Sequence, residues 1–298
     1  MNQPPSDAAS PGSRRPSAFV LRHGGLDPEA RLGLPSGRFT NPSAISSMVI
    51  GGLFMATLYG VVHLLRGSPA GDLAWRYLTG FSGIPIPMAA LACWAVAILL
   101  LKSLKISAQR RALNLRFVPA ESGFVLNVTS VGRVIDSIES TVDQPGRFLY
   151  LNRVLRALRS VRNVGRAAEI DEMLRSQAEA DEAVVEGGYT LVRGFVWAIP
   201  VLGFIGTIVG LTEAIGRFGG VLAEQDTALE EITMRLTEVI QGLETAFVTT
   251  GEGLVAALAI HLLQTFVRRQ DEAFLDAVGE ECTASVVSRV RLVGGRDD

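Results

Sequence analysis

Four long apolar runs constrain this chain more than anything else in it. A helix needs about 20 largely apolar residues to cross the roughly 30 Å hydrocarbon core of a bilayer. Residues 44–65 carry no acidic or basic side chain except His63 at their end. Residues 84–101 are uncharged and closed by Lys102, and residues 80–83 can lengthen them. Residues 191–215 hold Arg193 at their start and Glu213 near their end, while residues 242–267 hold Glu244 and Glu252 and are the least hydrophobic of the four. Each run predicts a transmembrane helix.

Composition points the same way and excludes several classes. Only 19% of the 298 residues are charged, against roughly 25% in soluble domains, and the 31 glycines suit membrane helices, where glycine is frequent. The 28 Lys+Arg against 30 Asp+Glu leave a charge of −2, without the basic excess that a nucleic-acid partner requires. Cys93 and Cys282 lie far apart in different kinds of segment, so neither a disulfide framework nor a cysteine metal site is expected. His63 and His261 supply too few ligands for a tetrahedral metal centre. Glycine spacings that would suggest a phosphate loop fall inside apolar helices, so no cofactor or metal and no catalytic set is expected.

Charge fixes the orientation through the positive-inside rule. Arg14, Arg15, Arg22, Arg31 and Arg38 precede the first run, Lys102, Lys105, Arg110, Arg111 and Arg116 follow the second, and Arg268 and Arg269 follow the fourth. Residues 216–241 instead set Glu224, Asp226, Glu230, Glu231 and Glu238 against Arg217 and Arg235. Both termini and residues 102–190 are therefore expected in the cytoplasm, with residues 66–83 and an acidic loop 216–241 outside. The Pro-, Ser-, Gly- and Arg-rich residues 1–43 read as a disordered cytoplasmic tail, and the first run reads as an uncleaved anchor.

The expected architecture is an all-α membrane protein: a two-helix transmembrane hairpin (44–101), a cytoplasmic helical region (102–190), a second hairpin of channel type (191–267) and a cytoplasmic C-terminal helix (268–298). Pro119, Gly123, Gly132 and Pro145 predict broken structure with short helices through about residue 146. From there Leu151, Val154, Leu155, Leu158 and Val161 fall at helical spacing, with Arg153, Arg156, Arg159 and Arg162 between them as a solvated or headgroup-facing row. A long helix then runs into the third span, with Gly187 and Gly188 as a place to kink, and together these helices predict a stalk beneath the membrane.

The polar content of the last two spans is the functional signal. Gly203, Gly206, Thr207, Gly210 and Ala214 share one face of the third span, where small residues let helix backbones approach closely, and Pro200 adds a kink. In the fourth span Thr245, Thr249, Glu252, Ala256 and Ala259 form a stripe, with Ala246, Thr250, Gly253 and Ala257 beside it. Helix rise puts Thr207 and Thr250 near the same mid-membrane depth. A lone threonine in hydrocarbon usually bonds the carbonyl one turn back. Thr207, Thr249, Thr250 and Glu252 at similar depth instead mark candidates for an ion path, since intramembrane ionisable groups are costly. Glu252 fits equally a protonated packing hydrogen bond.

These residues resemble the MotA/TolQ/ExbB proton-channel family. Residues 200–211, PVLGFIGTIVGL, are similar to its P-x-LG-x-x-GTV-x-G stretch, and residues 246–257, AFVTTGEGLVAA, to its A-x-x-TT-x-x-GL-x-A-A helix. The likeness covers about residues 147–290. It implies a pentameric ring in a bacterial cytoplasmic (inner) membrane, closed around a single-span partner with a membrane Asp (ExbD/TolR/MotB-like). Thr207 and Thr250 match the pore-facing threonines, with Thr249 beside the latter, and Pro200 matches the proline of the third-span motif. The chain departs from the pattern at Leu258, where many members have proline, at Glu252, and at Glu244, one residue before the acid that some members carry at the position of Thr245. The expected function is an ion-conducting, proton-type stator subunit that drives an envelope or motor partner. The alternative is a non-conducting oligomeric membrane scaffold.

Overall fold

The structure, a computed structural model, describes residues 21–79, 83–115, 117, 126, 128–164, 167–223 and 229–289. Besides two single turns at His23–Leu26 and Pro28–Arg31, eight longer helices organise these residues: α1 (Ala44–Leu64), α2 (Pro69–Thr79), α3 (Pro85–Leu113), α4 (Val128–Thr141), α5 (Leu149–Val164), α6 (Ala167–Gly187), α7 (Thr190–Ala223) and α8 (Leu229–Ser285). Among the described residues four helical stretches are long and apolar enough to cross a membrane. They comprise α1, α3, the run from α6 through α7, and α8. Helix α1 packs on α3, α3 packs on both α7 and α8, and α7 and α8 form the most extensive pair. Large apolar side chains point away from the bundle, with Phe247 74% and Val255 70% exposed. So wide an apolar surface suits lipid and not water.

The helices run beyond the spans that hydropathy marks. The 57 residues of α8 extend about 85 Å at 1.5 Å per residue, well past a bilayer core. Most of the expected outer loop 216–241 is accordingly helical, because α7 continues to Ala223 and α8 begins at Leu229. Residues 224–228 lie outside the described residues. The expected C-terminal helix 268–298 is helical to Ser285 as the continuation of α8, and residues 290–298 lie outside the described residues. Helix α3 likewise passes Lys102 and reaches Leu113 through a stretch expected to be broken, and the connection before it contains the amphipathic α2. Glu, Gln, Arg, Leu and Ala dominate these extensions, and such helix formers need only one packed face to continue a helix already nucleated.

Beneath the first two spans, at what we call the basal end, α4, α5 and α6 pack with the ends of α3 and α8 around Val131, Ile138, Phe148, Leu149, Leu158 and Phe274, all buried. Each such side chain contributes roughly 1.5–3 kcal/mol on burial. The arginine row on α5 is not wholly solvated. Arg156 and Arg159 are exposed, but Arg153 is buried with Nε donating to Asp181 Oδ2 at 2.7 Å.

The expected disordered tail also needs correction. Residues 1–20 lie outside the described residues, but residues 21–43 are folded onto the basal end. Leu21–Arg22 pairs in parallel with Val142–Asp143, the one strand pair among the described residues. Glu29 is fully buried, where its carboxylate accepts from Gly37 N (2.9 Å), Ser43 N (2.7 Å) and Lys105 Nζ (2.6 Å). Asp27 accepts from Glu29 N and Ser36 Oγ and lies 3.6 Å from Lys105. A segment poor in apolar residues thus orders through buried, paired polar groups, which composition does not reveal.

A second polar knot sits one turn along α3. Lys102 Nζ lies 2.8 Å from Asp271 Oδ2, with the two side chains 0% and 1% exposed. Lys102 also donates to Asn41 Oδ1 at 2.6 Å, and Asp271 accepts from Tyr189 Oη (3.1 Å) and Thr40 Oγ1 (3.4 Å). Asn41 Nδ2 reaches the Val184 carbonyl (2.6 Å), beside the turn at Gly188 and Tyr189 that joins α6 to α7. A Cβ on Gly188 would lie 3.0 Å from Asn41 Nδ2 and closer to its carbonyl oxygen, so only glycine lets Asn41 reach that turn.

Candidate functional site: the seam between α7 and α8

Small residues bring α7 and α8 into backbone contact. A Cβ on Gly203 would fall 2.8 Å from the Thr249 carbonyl and 3.2 Å from Thr250 Cα. One on Gly210 would fall 2.7 Å from the Gly242 carbonyl and 2.8 Å from Ala246 N. Gly253 faces Ile199, Pro200 and Gly203 across the seam, and Gly206 faces the side chain of Thr249. Pro200, Gly203, Gly206, Gly210 and Ala214 therefore run antiparallel to Gly253, Thr250, Thr249, Ala246 and Gly242. Without a hydrophobic force between helices in lipid, such contact supplies the dispersion that holds the pair together.

Close approach places three of the four ion-path candidates together. Thr207 and Thr250 meet hydroxyl to hydroxyl. Thr207 Oγ1 also donates to the Ala246 carbonyl across the seam (3.1 Å) and lies 3.4 Å from its own Gly203 carbonyl. Thr250 Oγ1 repeats the arrangement in reverse, at 3.1 Å from the Gly203 carbonyl and 3.3 Å from its own Ala246 carbonyl. Two hydroxyls and two carbonyls thus form a closed four-oxygen cluster with near two-fold symmetry. Thr249, fully buried, bonds mainly back to the Thr245 carbonyl (2.9 Å) and lies 3.5 Å from the Gly203 carbonyl. Its hydroxyl follows the self-satisfying habit of helical threonine; those of Thr207 and Thr250 bridge two helices.

Glu252 is not part of this cluster. Two residues beyond Thr250 on a helix of 3.6 residues per turn, it faces roughly the opposite side of α8. There it lines a cavity of ≈ 570 Å³ with residues of α2 and α3. Glu244, two turns along the same face, pairs with Arg76 of α2, whose Nη2 donates to both carboxylate oxygens at 2.7 Å.

Sequence reasoning missed several contributors. Ala246 and Gly242 act through backbone atoms, which leave only a small-residue signal. Lys102 and Lys105 read only as positive-inside charges after an apolar run. The signal that they are buried is Asp271, which falls in register with Val267, Phe274 and Val278 on the packed face of α8. Among the described residues no group of three His, Cys, Asp or Glu side chains is placed to hold a metal ion.

Four helical stretches long and apolar enough to span a bilayer, two of them joined glycine-to-backbone around a hydroxyl cluster, are the marks of a polytopic membrane protein. Residues 149–279 match the model of the MotA/TolQ/ExbB proton channel family. The match takes in α5 through most of α8 and includes the whole threonine seam. No curated protein matches the chain.

Proposed function

We propose that this protein is the ring-forming subunit of a proton-conducting stator in a bacterial cytoplasmic (inner) membrane, converting ion-motive force into work on an envelope or motor partner. The observation that carries the reading is the cluster of Thr207 and Thr250. Each hydroxyl carries one proton and two lone pairs, and each faces two carbonyls and the other hydroxyl. Rotation of either hydroxyl changes which oxygen receives its proton, as a proton relay requires. The family match supports the same role. In this reading five copies surround a single-span partner whose membrane Asp takes the proton onward, α7 and α8 face that partner, and α1 and α3 lie outside them. The charge distribution supports a cytoplasmic position for both termini and the basal bundle.

Small-residue packing across the seam also favours a second reading, a non-conducting oligomeric scaffold. Threonine substitutions separate the two. Thr207→Val and Thr250→Val remove only a hydroxyl from a nearly isosteric side chain, whereas Thr→Ser at either position keeps it. The complex is purified from its host, its stoichiometry read by native mass spectrometry, and flux measured in liposomes under an imposed proton gradient. The stator reading requires five copies with two of the partner, loss of most flux in the valine variants with assembly intact, and flux retained with serine. Assembled valine variants with full activity, or a homo-oligomer without partner, leave the scaffold.

A further inference from the structure

The cavity beside Glu252 belongs to neither the threonine seam nor the basal knots. It opens between α2, α3 and the face of α8 away from Thr250, and its walls are apolar: Leu78, Pro85, Met88, Val248 and Val255, with Tyr77 from α2. Its volume, ≈ 570 Å³, lies within the roughly 300–1,000 Å³ of small-molecule sites. The half-buried Glu252 carboxyl is the single acidic group in this lining. Among the described residues it has no hydrogen bond or ion pair, and Arg76, next in sequence to the lining residue Tyr77, is bound to Glu244. Helix α2 closes the neighbouring end, held by that ion pair and by the Tyr59 hydroxyl donating to the Leu78 carbonyl at 3.2 Å.

We propose that this cavity binds a lipophilic cation, an ammonium group on an apolar body, with Glu252 as its counter-charge. A carboxyl in hydrocarbon is costly without a partner, and an ammonium provides both the opposite charge and donors. The apolar walls take the body of the ligand, and the aromatic ring of Tyr77 adds a surface that attracts cations. An anionic amphiphile offers Glu252 no opposite charge, and a neutral chain leaves the carboxyl without a counter-ion. A lipophilic amine enters from the bilayer uncharged and takes the carboxyl proton, which forms the ammonium–carboxylate pair without any other reactant. The inference rests on the packing of α2, α3 and α8 and not on conduction along the seam, so its failure leaves the proposed function standing.

The test uses the full-length protein, with any co-purifying partner, in lipid nanodiscs. Saturable binding of radiolabelled dodecylammonium, dodecanol and dodecanoate is compared for the wild type, Glu252→Gln and the cavity-filling Ala89→Phe, each first shown to keep the wild-type oligomer size. The expected result is saturable binding of dodecylammonium alone, weakened tenfold or more by Glu252→Gln and abolished by Ala89→Phe. Equal binding of dodecanol, or amine binding unchanged in Glu252→Gln, overturns the proposal and makes the cavity a slot for acyl chains. Absence of binding together with cross-linking of Met88→Cys to a second copy overturns it too, and assigns the groove to a subunit interface.

Discussion

One added methyl group at Gly203 is expected to open the seam. The Cβ would sit 2.8 Å from the Thr249 carbonyl, where ordinary contact begins at 3.4 Å. The obstacle is backbone, which has no rotamer to yield, so α7 and α8 must part by about half an ångström. The Thr250 hydroxyl now reaches the Gly203 carbonyl at 3.1 Å; after that displacement the gap is about 3.6 Å, too long for a hydrogen bond. Overpacking costs about 1–3 kcal/mol, and each interhelical hydrogen bond lost in the membrane adds about 0.6 kcal/mol. Gly251 on the facing helix α8 provides the control, because a Cβ there meets no atom within 4 Å. Gly203→Ala and Gly251→Ala are compared by reversible unfolding in detergent, by spin-label distances across the seam, and by proton flux in liposomes. Gly203→Ala should be less stable by roughly 2 kcal/mol, with a wider seam and reduced flux, while Gly251→Ala stays at or above the wild type. Equal stability and flux in the two variants would refute the argument that backbone contact sets the geometry of the threonine pair.

Two further outcomes follow from the basal end. Asp271→Ala leaves Lys102 buried without its carboxylate and should lower stability by about 3–5 kcal/mol, whereas Lys102→Met with Asp271→Leu should recover much of that loss, because an apolar pair needs no desolvation; thermal unfolding of the two variants in detergent decides it. Burial of His23 holds its imidazole below the ordinary value of 6.5, and the carboxylate of Asp27 only partly opposes this. The released segment then binds the proton more readily than the docked one, so docking of residues 21–43 is fully stable above pH 6.5 and weakens as pH falls through the depressed value. Hydrogen exchange across residues 23–31, measured one unit above and one unit below that pH, should show the loss, and His23→Phe should remove it; an unchanged pH dependence in His23→Phe sinks the assignment.

The sequence by itself determined the membrane helices and the small-residue faces of α7 and α8. Both are properties of a single helix: hydrophobic length must match a bilayer, and 3.6-residue periodicity puts Gly203, Gly206, Thr207 and Gly210 on one side whatever lies opposite. The depth of Thr207 and Thr250 was legible for the same reason, since helix rise is fixed. Tertiary structure decided what those faces meet. Depth alone grouped Glu252 with the threonines, and only its azimuth against α3 separates it from them. Composition marked residues 21–43 as disordered because their order comes from Glu29, Asn41 and Thr40 finding Lys105, Lys102 and Asp271 far along the chain. Long-range polar pairing of this kind leaves no periodic trace, and a lysine after an apolar run looks the same whether it faces headgroups or a buried carboxylate.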